Sequence, residues 1–129
     1  VSSKTKEVVE QFENGKSVAD LSRQLKVKDN TIYNHLYKYA QLGNKFTKPE
    51  RLIDEAQLTA EQVQTGIAAF ETHGSERLKP VYEALGEAIK YDQLHLLRAF
   101  YLHWEVKIGR HESYLQLCKL INVRNWILK

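Results

Sequence analysis

Polar side chains follow one stripe of the segment 29–42, which its apolar spacing predicts to be a helix. With Ile32 as the buried direction and about 100° per residue, the opposite face of that helix can be derived. This outward stripe consists of Asn30, Asn34, Tyr37 and Gln41 with Lys38 beside it, and a basic rim of Arg23, Lys26, Lys28 and Lys45 surrounds it. Carboxamides can make paired hydrogen bonds to adenine, and lysines can reach guanine or a phosphate. These residue types predict a surface for binding DNA.

Two helices joined by a tight turn would position this stripe. Ser17 is a suitable N-cap for the first of them, and Ser22 supplies the small residue that a steep helix crossing requires. The apolar anchors on both sides of the turn are Leu21, Leu25, Val27, Ile32 and Leu36, together with Val8, Val9 and Phe12 of an earlier helix. That earlier helix ends at Asn14-Gly15, and the last one ends at Gly43. The spacing of residues 17–36 therefore predicts a helix-turn-helix.

A second group of helices is predicted beyond this motif. Residues 44–58 contain Asn44 and Pro49 and lack a clean helical period, which predicts a connector. Thr59 and Gln62 have the spacing of a capping box, and the helix that they begin has a stop at Gly74. The next helix is expected over residues 75–85, with Pro80 in its first turn, where a missing N–H costs little.

The strongest amphipathic run begins at Asp92 and predicts a core helix. Its apolar face includes Leu94, Leu97 and Tyr101, and residues 114–121 beyond it are also helical by pattern. The predicted fold class is all-α, with a three-helix helix-turn-helix unit followed by a second small helical bundle. We expect the helix-turn-helix unit over residues 1–45, a connector over 46–58, a second helical unit over 59–105, and a C-terminal helical segment over 106–129 whose packing is left open.

The composition is that of a folded protein with an uneven charge distribution. Of 129 residues, 43% are hydrophobic and 27% are charged, and the net charge is +3. Residues 1–50 carry nine lysines or arginines against six acidic residues, residues 51–90 carry four against seven, and residues 91–129 carry six against three. The two ends of the chain are therefore suited to a polyanion, whereas the middle is not.

Several classes of protein are disfavoured by the sequence. No stretch approaches the roughly 18 consecutive apolar residues of a membrane span, so we expect no membrane association and a cytoplasmic protein, nucleoid-associated if bacterial. Cys118 is the single cysteine and cannot form a multi-thiolate zinc site, so we expect it to be reduced and buried. The sequence starts at Val1 and contains no Met, and we expect it to be an excerpt of a longer chain.

Catalytic and metal-binding alternatives are weak. Gly15-Lys16-Ser17 resembles the end of a phosphate-binding loop, but Glu10 stands where that loop needs its first glycine. His95 and His103 would be about 12 Å apart on one helix, too far to share an ion. The carboxylates of Glu83, Glu87 and Asp92 have no accompanying nucleophile and are interpreted as a solvated face. We expect no enzyme activity, no cofactor and no metal.

Three aromatic residues leave two interpretations open. Tyr33, Tyr37 and Trp104 could stack on unpaired bases, as aromatic side chains do in proteins that bind single strands. Aromatic residues at helical spacing more often pack in a core. Tyr37 is the strongest candidate for stacking because the helical period turns it outward.

The runs GKSVADLSRQLKVKDNTIYNHL and ERLKPVYEALGEAIKYDQLHLLRAFYLH resemble the helix-turn-helix domain at the C-terminus of many RecQ-type and related DNA helicases. The resemblance spans residues 4–103, and the second run is its more specific half. It implies a non-catalytic accessory domain beyond an ATPase core, with DNA and the helicase core as partners. The family pattern has Gly at the turn and Ser or Thr at the cap, where this chain has Lys26 and Lys28.

Other functions remain open at this point. A helix-turn-helix transcription regulator would place two recognition helices about 34 Å apart by dimerising, so its oligomeric state would distinguish it from an accessory domain. A protein-docking module would show no affinity for DNA. Whether duplex, single-stranded or forked DNA is preferred does not follow from the residues.

Overall fold

The computed structural model describes the backbone of residues 1–108 and the side chains of residues 1–104. This part of the chain consists of helices and contains no strand, which confirms the all-α fold class. The helices are α1 (Ser3–Glu13), α2 (Val18–Leu25), α3 (Asp29–Gln41), α4 (Glu50–Ala56), α5 (Ala60–His73), α6 (Leu78–Ala84) and α7 (Tyr91–Ile108). The predicted C-terminal segment beyond residue 108 lies outside the described residues.

Local capping determines where the first two helices begin and end. Ser2 accepts a hydrogen bond from the backbone N–H of Thr5 at the start of α1. The chain then reverses at Gly15, whose φ of +110° is a conformation that glycine adopts without strain. Ser17 caps α2 as predicted, because its hydroxyl accepts from the N–H of Asp20 at 3.0 Å.

The turn between α2 and α3 places a lysine in the left-handed region. Lys26 has φ 57° and ψ 46°, and the N–H of the following Val27 donates to the carbonyl of Ser22 at 3.0 Å. Lys28 precedes α3 without a side-chain hydrogen bond to the free N–H groups. The turn therefore has the geometry of a helix-turn-helix, although it lacks the glycine and the Ser or Thr cap that would form this geometry with the least strain.

Replacing Lys26 with glycine should stabilise the fold, by about 0.5–1 kcal/mol, because glycine adopts a positive φ without the steric cost of Cβ. Lys26→Ala is the matched control, since it removes the same charge and keeps the Cβ. Urea denaturation of both variants measures the difference. A glycine variant no more stable than the alanine variant would contradict the strain at this turn.

The segment 46–58 is not a connector, and this prediction was wrong. It contains α4, and Phe46, Leu52, Ile53 and Ala56 of this segment are all buried. A helix of seven residues is too short to show two full turns of apolar period, and it begins directly after Pro49. Only its packing against α7 reveals its amphipathic character.

Helix α4 also fixes the loop between α1 and α2. Arg51 donates to the carbonyl oxygens of Phe12 at 3.1 Å and Lys16 at 2.9 Å, and its guanidinium lies 4.4 Å from the centre of the Phe12 ring. It also pairs with Glu55 at 2.9 Å. The other carboxylate oxygen of Glu55 accepts from the N–H of Val18 at 3.0 Å, at the start of α2. Arg51 and Glu55 therefore form a clamp that holds the end of α1 and the start of α2 together.

The later helices follow the predicted caps closely. The capping box of Thr59 and Gln62 is present at the start of α5, and Gly74 ends that helix with φ 83°. Helix α6 is shorter than expected, because residues 75–77 precede it, and Pro80 lies in its first turn as predicted. This correction is small, and it concerns a helix start at which Arg77 makes no side-chain capping hydrogen bond.

Helix α7 lies at the centre of the described part of the chain. It contacts α3, α4, α5 and α6, and its Leu94 and Leu97 are fully buried. Buried residues from α1 through α7 form one hydrophobic core, so the two predicted helical units share it. His103 of α7 also accepts from the backbone N–H of Phe46 at 3.1 Å, which attaches the segment before α4 to this helix.

Candidate nucleic-acid interface

The predicted binding residues lie on the surface around α3. The exposed members of this set are Arg23, Lys26, Lys28, Asn30, Asn34, Lys38, Gln41 and Lys45, and Tyr37 is half-buried. On the opposite face of α3, Ile32, Leu36 and Ala40 are buried in the core. The helical period therefore places the outward stripe correctly, while the binding role of these residues stays a prediction.

Not every cation of the basic rim is equally available. Arg23 forms an ion pair with Asp20 on the same helix, and both side chains are largely exposed. Exposed pairs of this kind contribute little to stability, but the adjacent carboxylate weakens the attraction of the arginine for an anion. Lys28 and Lys38, near the two ends of α3, are the stronger candidates for phosphate contacts.

Lys45 is held in place by the end of α3. The hydroxyl of Tyr39 donates to the backbone carbonyl of Lys45 at 3.3 Å, and the side chain of Asn44 donates to the carbonyl of Tyr39 at 3.2 Å. These contacts order the chain after α3, so Lys45 extends the basic rim from a fixed backbone.

Tyr37 is already engaged with a buried arginine. The guanidinium of Arg98 lies 3.8 Å from the centre of the Tyr37 ring, and Gln41 donates to the Tyr37 hydroxyl at 3.2 Å. A cation over a ring face is a favourable contact that strengthens when it is desolvated. One face of Tyr37 is therefore covered, and base stacking could use the other face alone.

Arg98 is a residue of this region that the sequence reasoning missed. It is only 6% exposed, and it donates to the carbonyls of Ser75 and Glu76 at 3.4 Å each. Its burial lowers the pKa of the guanidinium, which remains a cation at physiological pH. The sequence did offer one indication of this role. Arg98 directly follows Leu97 on the helix with the widest apolar face, where a buried charged side chain needs hydrogen-bond partners inside the fold.

Tyr33 is a core residue, so the stacking hypothesis is corrected for it, and Trp104 packs at the edge of the core. Tyr33 is 6% exposed and stacks on His95 with ring centres 5.0 Å apart and planes 2° apart. Burial, followed by the charge of Asp92, raises the pKa of Tyr33 to about 12. Trp104 is half-buried and packs edge-on against Phe100 at 6.1 Å.

The stability of the fold should fall in mild acid through His95. Burial is the main cause that lowers the pKa of His95 below its ordinary value of 6.5, and Arg98 adds to this effect. Because the unfolded chain binds more protons than the folded chain just below pH 6.5, stability rises with pH there and is lost as the pH falls. We expect His95→Gln to flatten the dependence of the urea midpoint on pH between about 7.5 and 5, relative to the unmodified chain. Parallel curves would contradict the role of His95.

The outward face of α3 also contains a cavity of about 380 Å³. It is lined by Thr31, Asn34, His35, Tyr37 and Lys38. At its edge, the Nδ1 atom of His35 lies 2.8 Å from the hydroxyl of Thr5 on α1. Burial lowers the pKa of His35, and the charges of Lys38 and Lys4 lower it further. Lys4, a cation, and His35, a titratable group, are thus additional residues of this surface that the outward stripe of α3 did not include.

The described residues contain no group of three or more histidine, cysteine, aspartate or glutamate side chains arranged to hold a metal ion. Within the same part of the chain, no helix is both long enough and apolar enough to span a membrane.

Comparison with known proteins gives one match. Neither the curated proteins nor the solved structures contain a match to the chain. A family model described as a helix-turn-helix domain matches residues 4–98, which is well over half of the chain and extends from the second residue of α1 into α7. The observed turn at Lys26, the exposed polar face of α3 and this match agree with one another, and the chain belongs to the helix-turn-helix domain family.

Proposed function

We propose that this chain is a DNA-binding domain that uses α3 as its recognition helix. The observation that carries the proposal is the exposed polar face of α3, bordered by lysines, within a helix-turn-helix domain. In such domains the second helix of the motif enters the major groove, and its exposed side chains meet base edges.

The residues divide into two roles. Asn30, Asn34 and Gln41 can pair with base edges, since carboxamides offer both a donor and an acceptor. Lys28 and Lys38 contact phosphates, which supply most of the affinity and little of the sequence preference. We therefore expect weak binding, near micromolar, with a modest preference among sequences.

We also propose that the domain is a non-catalytic accessory module of a RecQ-type DNA helicase. The support for this finer assignment is the resemblance of its two sequence runs to the C-terminal domains of such helicases. In this role the domain contributes no catalytic residue and no cofactor of its own. Gel filtration tests the alternative of a transcription regulator, because an accessory domain is expected to be monomeric.

Binding to duplex DNA should weaken steeply with salt. If three to five cations engage phosphates, log K falls against log salt with a slope of about −3 to −5. Lys28→Ala should weaken all sequences alike and reduce the magnitude of the slope by about one, whereas Asn34→Ala should change the preference among sequences at nearly constant slope. Fluorescence titration of labelled DNA between about 50 and 200 mM salt measures both effects.

Lys79→Ala is the matched control for this titration. Lys79 is exposed on α6, in the acidic middle of the chain, and its loss should leave the affinity nearly unchanged. If the double variant Lys28→Ala and Lys38→Ala binds as well as the Lys79 control, α3 does not face DNA. A protein-docking role is then the better assignment.

A further inference from the structure

We propose that Lys4, His35 and Lys38 form a phosphate-binding site, and that binding of a DNA backbone phosphate there is coupled to protonation of His35. This inference rests on the proposed function, because it specifies which group of the DNA this part of the interface takes up. It also extends the interface from α3 to α1, which lies outside the helix-turn-helix turn itself.

The geometry brings the three side chains to one place. His35 and Lys38 are three residues apart on α3, so they lie on the same side of that helix, and both line the cavity beside Asn34. Lys4 directly precedes Thr5, whose hydroxyl contacts the His35 ring at 2.8 Å. The contact between α1 and α3 thus brings Lys4 close enough for its charge, like that of Lys38, to act on the imidazole.

The hydrogen bonds of His35 allow it to gain a proton. Ser2 donates to the Thr5 hydroxyl at 3.0 Å, which leaves the Thr5 proton for the Nδ1 atom of His35. A hydroxyl can both donate and accept, so the Ser2–Thr5–His35 chain can reverse its direction when Nδ1 becomes protonated. The imidazole therefore keeps its partner in both charge states, and its Nε2 atom remains for a ligand.

Two other histidines of the described part of the chain cannot gain a proton on Nδ1 and keep their hydrogen-bond partner. His103 accepts from the backbone N–H of Phe46, which cannot become an acceptor. The Nδ1 atom of His95 faces the guanidinium of Arg98, which is likewise a donor only. Protonation at those Nδ1 atoms would break the contacts, whereas protonation of His35 reorients two hydroxyl protons.

The charges around His35 favour a bound anion. The charges of Lys38 on the same helix and of Lys4 on α1 both act on His35. Lys4 also pairs with Glu7 at 3.6 Å, and both of these side chains are exposed. These two cations oppose the protonation of His35 while the site is empty. A phosphate oxygen that accepts a hydrogen bond from the imidazole favours protonation of His35, because the hydrogen bond and the adjacent negative charge both stabilise the charged form.

The helices packed on the other sides of α3 do not supply a competing anion to His35. On α7, the charged groups beside α3 are Asp92, His95 and Arg98, and they act on Tyr33 and Tyr37. On α2, Arg23 is paired with Asp20. The titration of His35 is therefore controlled by Lys4, by Lys38 and by the ligand.

Linkage gives the size of the effect. For each unit by which bound phosphate raises the pKa of His35, the affinity for DNA is up to tenfold higher at low pH than at high pH. We expect the affinity for a duplex of about 16 base pairs, at constant ionic strength, to rise roughly three- to tenfold from pH 7.5 to 5.5. His35→Gln should abolish most of this rise, and His73→Gln, an exposed histidine on α5, should preserve it.

The lysines provide a second comparison on the same DNA. Lys4→Ala should reduce the magnitude of the salt slope by about one, whereas Lys6→Ala should reduce it less. Lys6 is an exposed lysine two residues away, on roughly the opposite side of the same helix. Equal effects of the two substitutions, or an unchanged pH dependence in His35→Gln while the unmodified chain binds DNA, would overturn the site and leave the proposed function intact.

A measurement without DNA separates the two proposals completely. The pKa of His35 is followed by proton NMR in sodium chloride and in sodium sulfate of equal ionic strength, since sulfate resembles phosphate and does not titrate in this range. The site predicts a higher pKa of His35 in sulfate, and a loss of that difference in the double variant Lys4→Ala and Lys38→Ala. A chain that binds no DNA but shows this difference retains the anion site and loses the proposed function, and identical pKa values in both salts would refute the site.

Discussion

Glu55→Ala should lower the free energy of unfolding by about 2–3 kcal/mol, because the substitution removes both contacts of this carboxylate at once. Arg51 loses its ionic partner, and the N–H of Val18 loses its acceptor at the first turn of α2. Breaking a fully buried ion pair costs about 3–5 kcal/mol. The side chains of Arg51 and Glu55 are each 18% exposed, so water recovers part of that cost.

Two controls separate the charge from the hydrogen bonds. Glu55→Gln keeps an oxygen that can accept from Val18 and should cost less than half as much as the alanine variant. Glu50→Ala removes an exposed carboxylate from the same helix and should cost at most about 0.5 kcal/mol. Chemical denaturation of the three variants measures the series. If Glu55→Ala is no worse than Glu50→Ala, the clamp does not hold the helix-turn-helix.

Gly66→Ala should destabilise the fold by about 2 kcal/mol, although alanine favours helices. A Cβ at residue 66 would lie 2.2 Å from the Cδ2 atom of Leu97, which is fully buried on α7. Overpacking of this kind costs about 1–3 kcal/mol, and more when the neighbour has no free space. The gain of up to 1 kcal/mol in helix propensity offsets only part of that cost.

A double-mutant cycle with Leu97→Ala tests the cause. Leu97→Ala alone should cost about 2–5 kcal/mol through the void that it leaves. In that background Gly66→Ala should be neutral or stabilising, because its methyl group occupies part of the void. A coupling energy below about 0.5 kcal/mol would contradict the close approach of α5 and α7 at this position.

The turns and caps of this chain were predicted well because they depend on neighbours within four residues. Ser17 and Thr59 each cap the start of a helix, because the side-chain hydroxyl accepts a hydrogen bond from the backbone N–H three residues later. The apolar period of residues 29–41 likewise separates the buried side of α3 from its outward stripe. The location of the candidate DNA-binding face follows from these local rules.

The prediction failed for features that depend on distant partners. Helix α4 was interpreted as a connector because its seven residues are too few to show a clear helical repeat of apolar residues. Leu52 and Ile53 are buried because the helix packs against α7. Tyr33 was left open as a stacking residue because its partner, His95, is far away in sequence and next to it in the fold.

By itself, then, the sequence determined the all-α class, the helix-turn-helix and the outward direction of its polar stripe, because hydrogen bonds and periodicity within one helix decide these features. Only the tertiary structure decided that Arg51 and Glu55 clamp the motif, that Arg98 covers Tyr37, and that Thr5 of α1 contacts His35 of α3. Each of these features depends on contacts with a different helix or a neighbouring loop, so its distances are set by how the helices pack and not by their spacing along the chain.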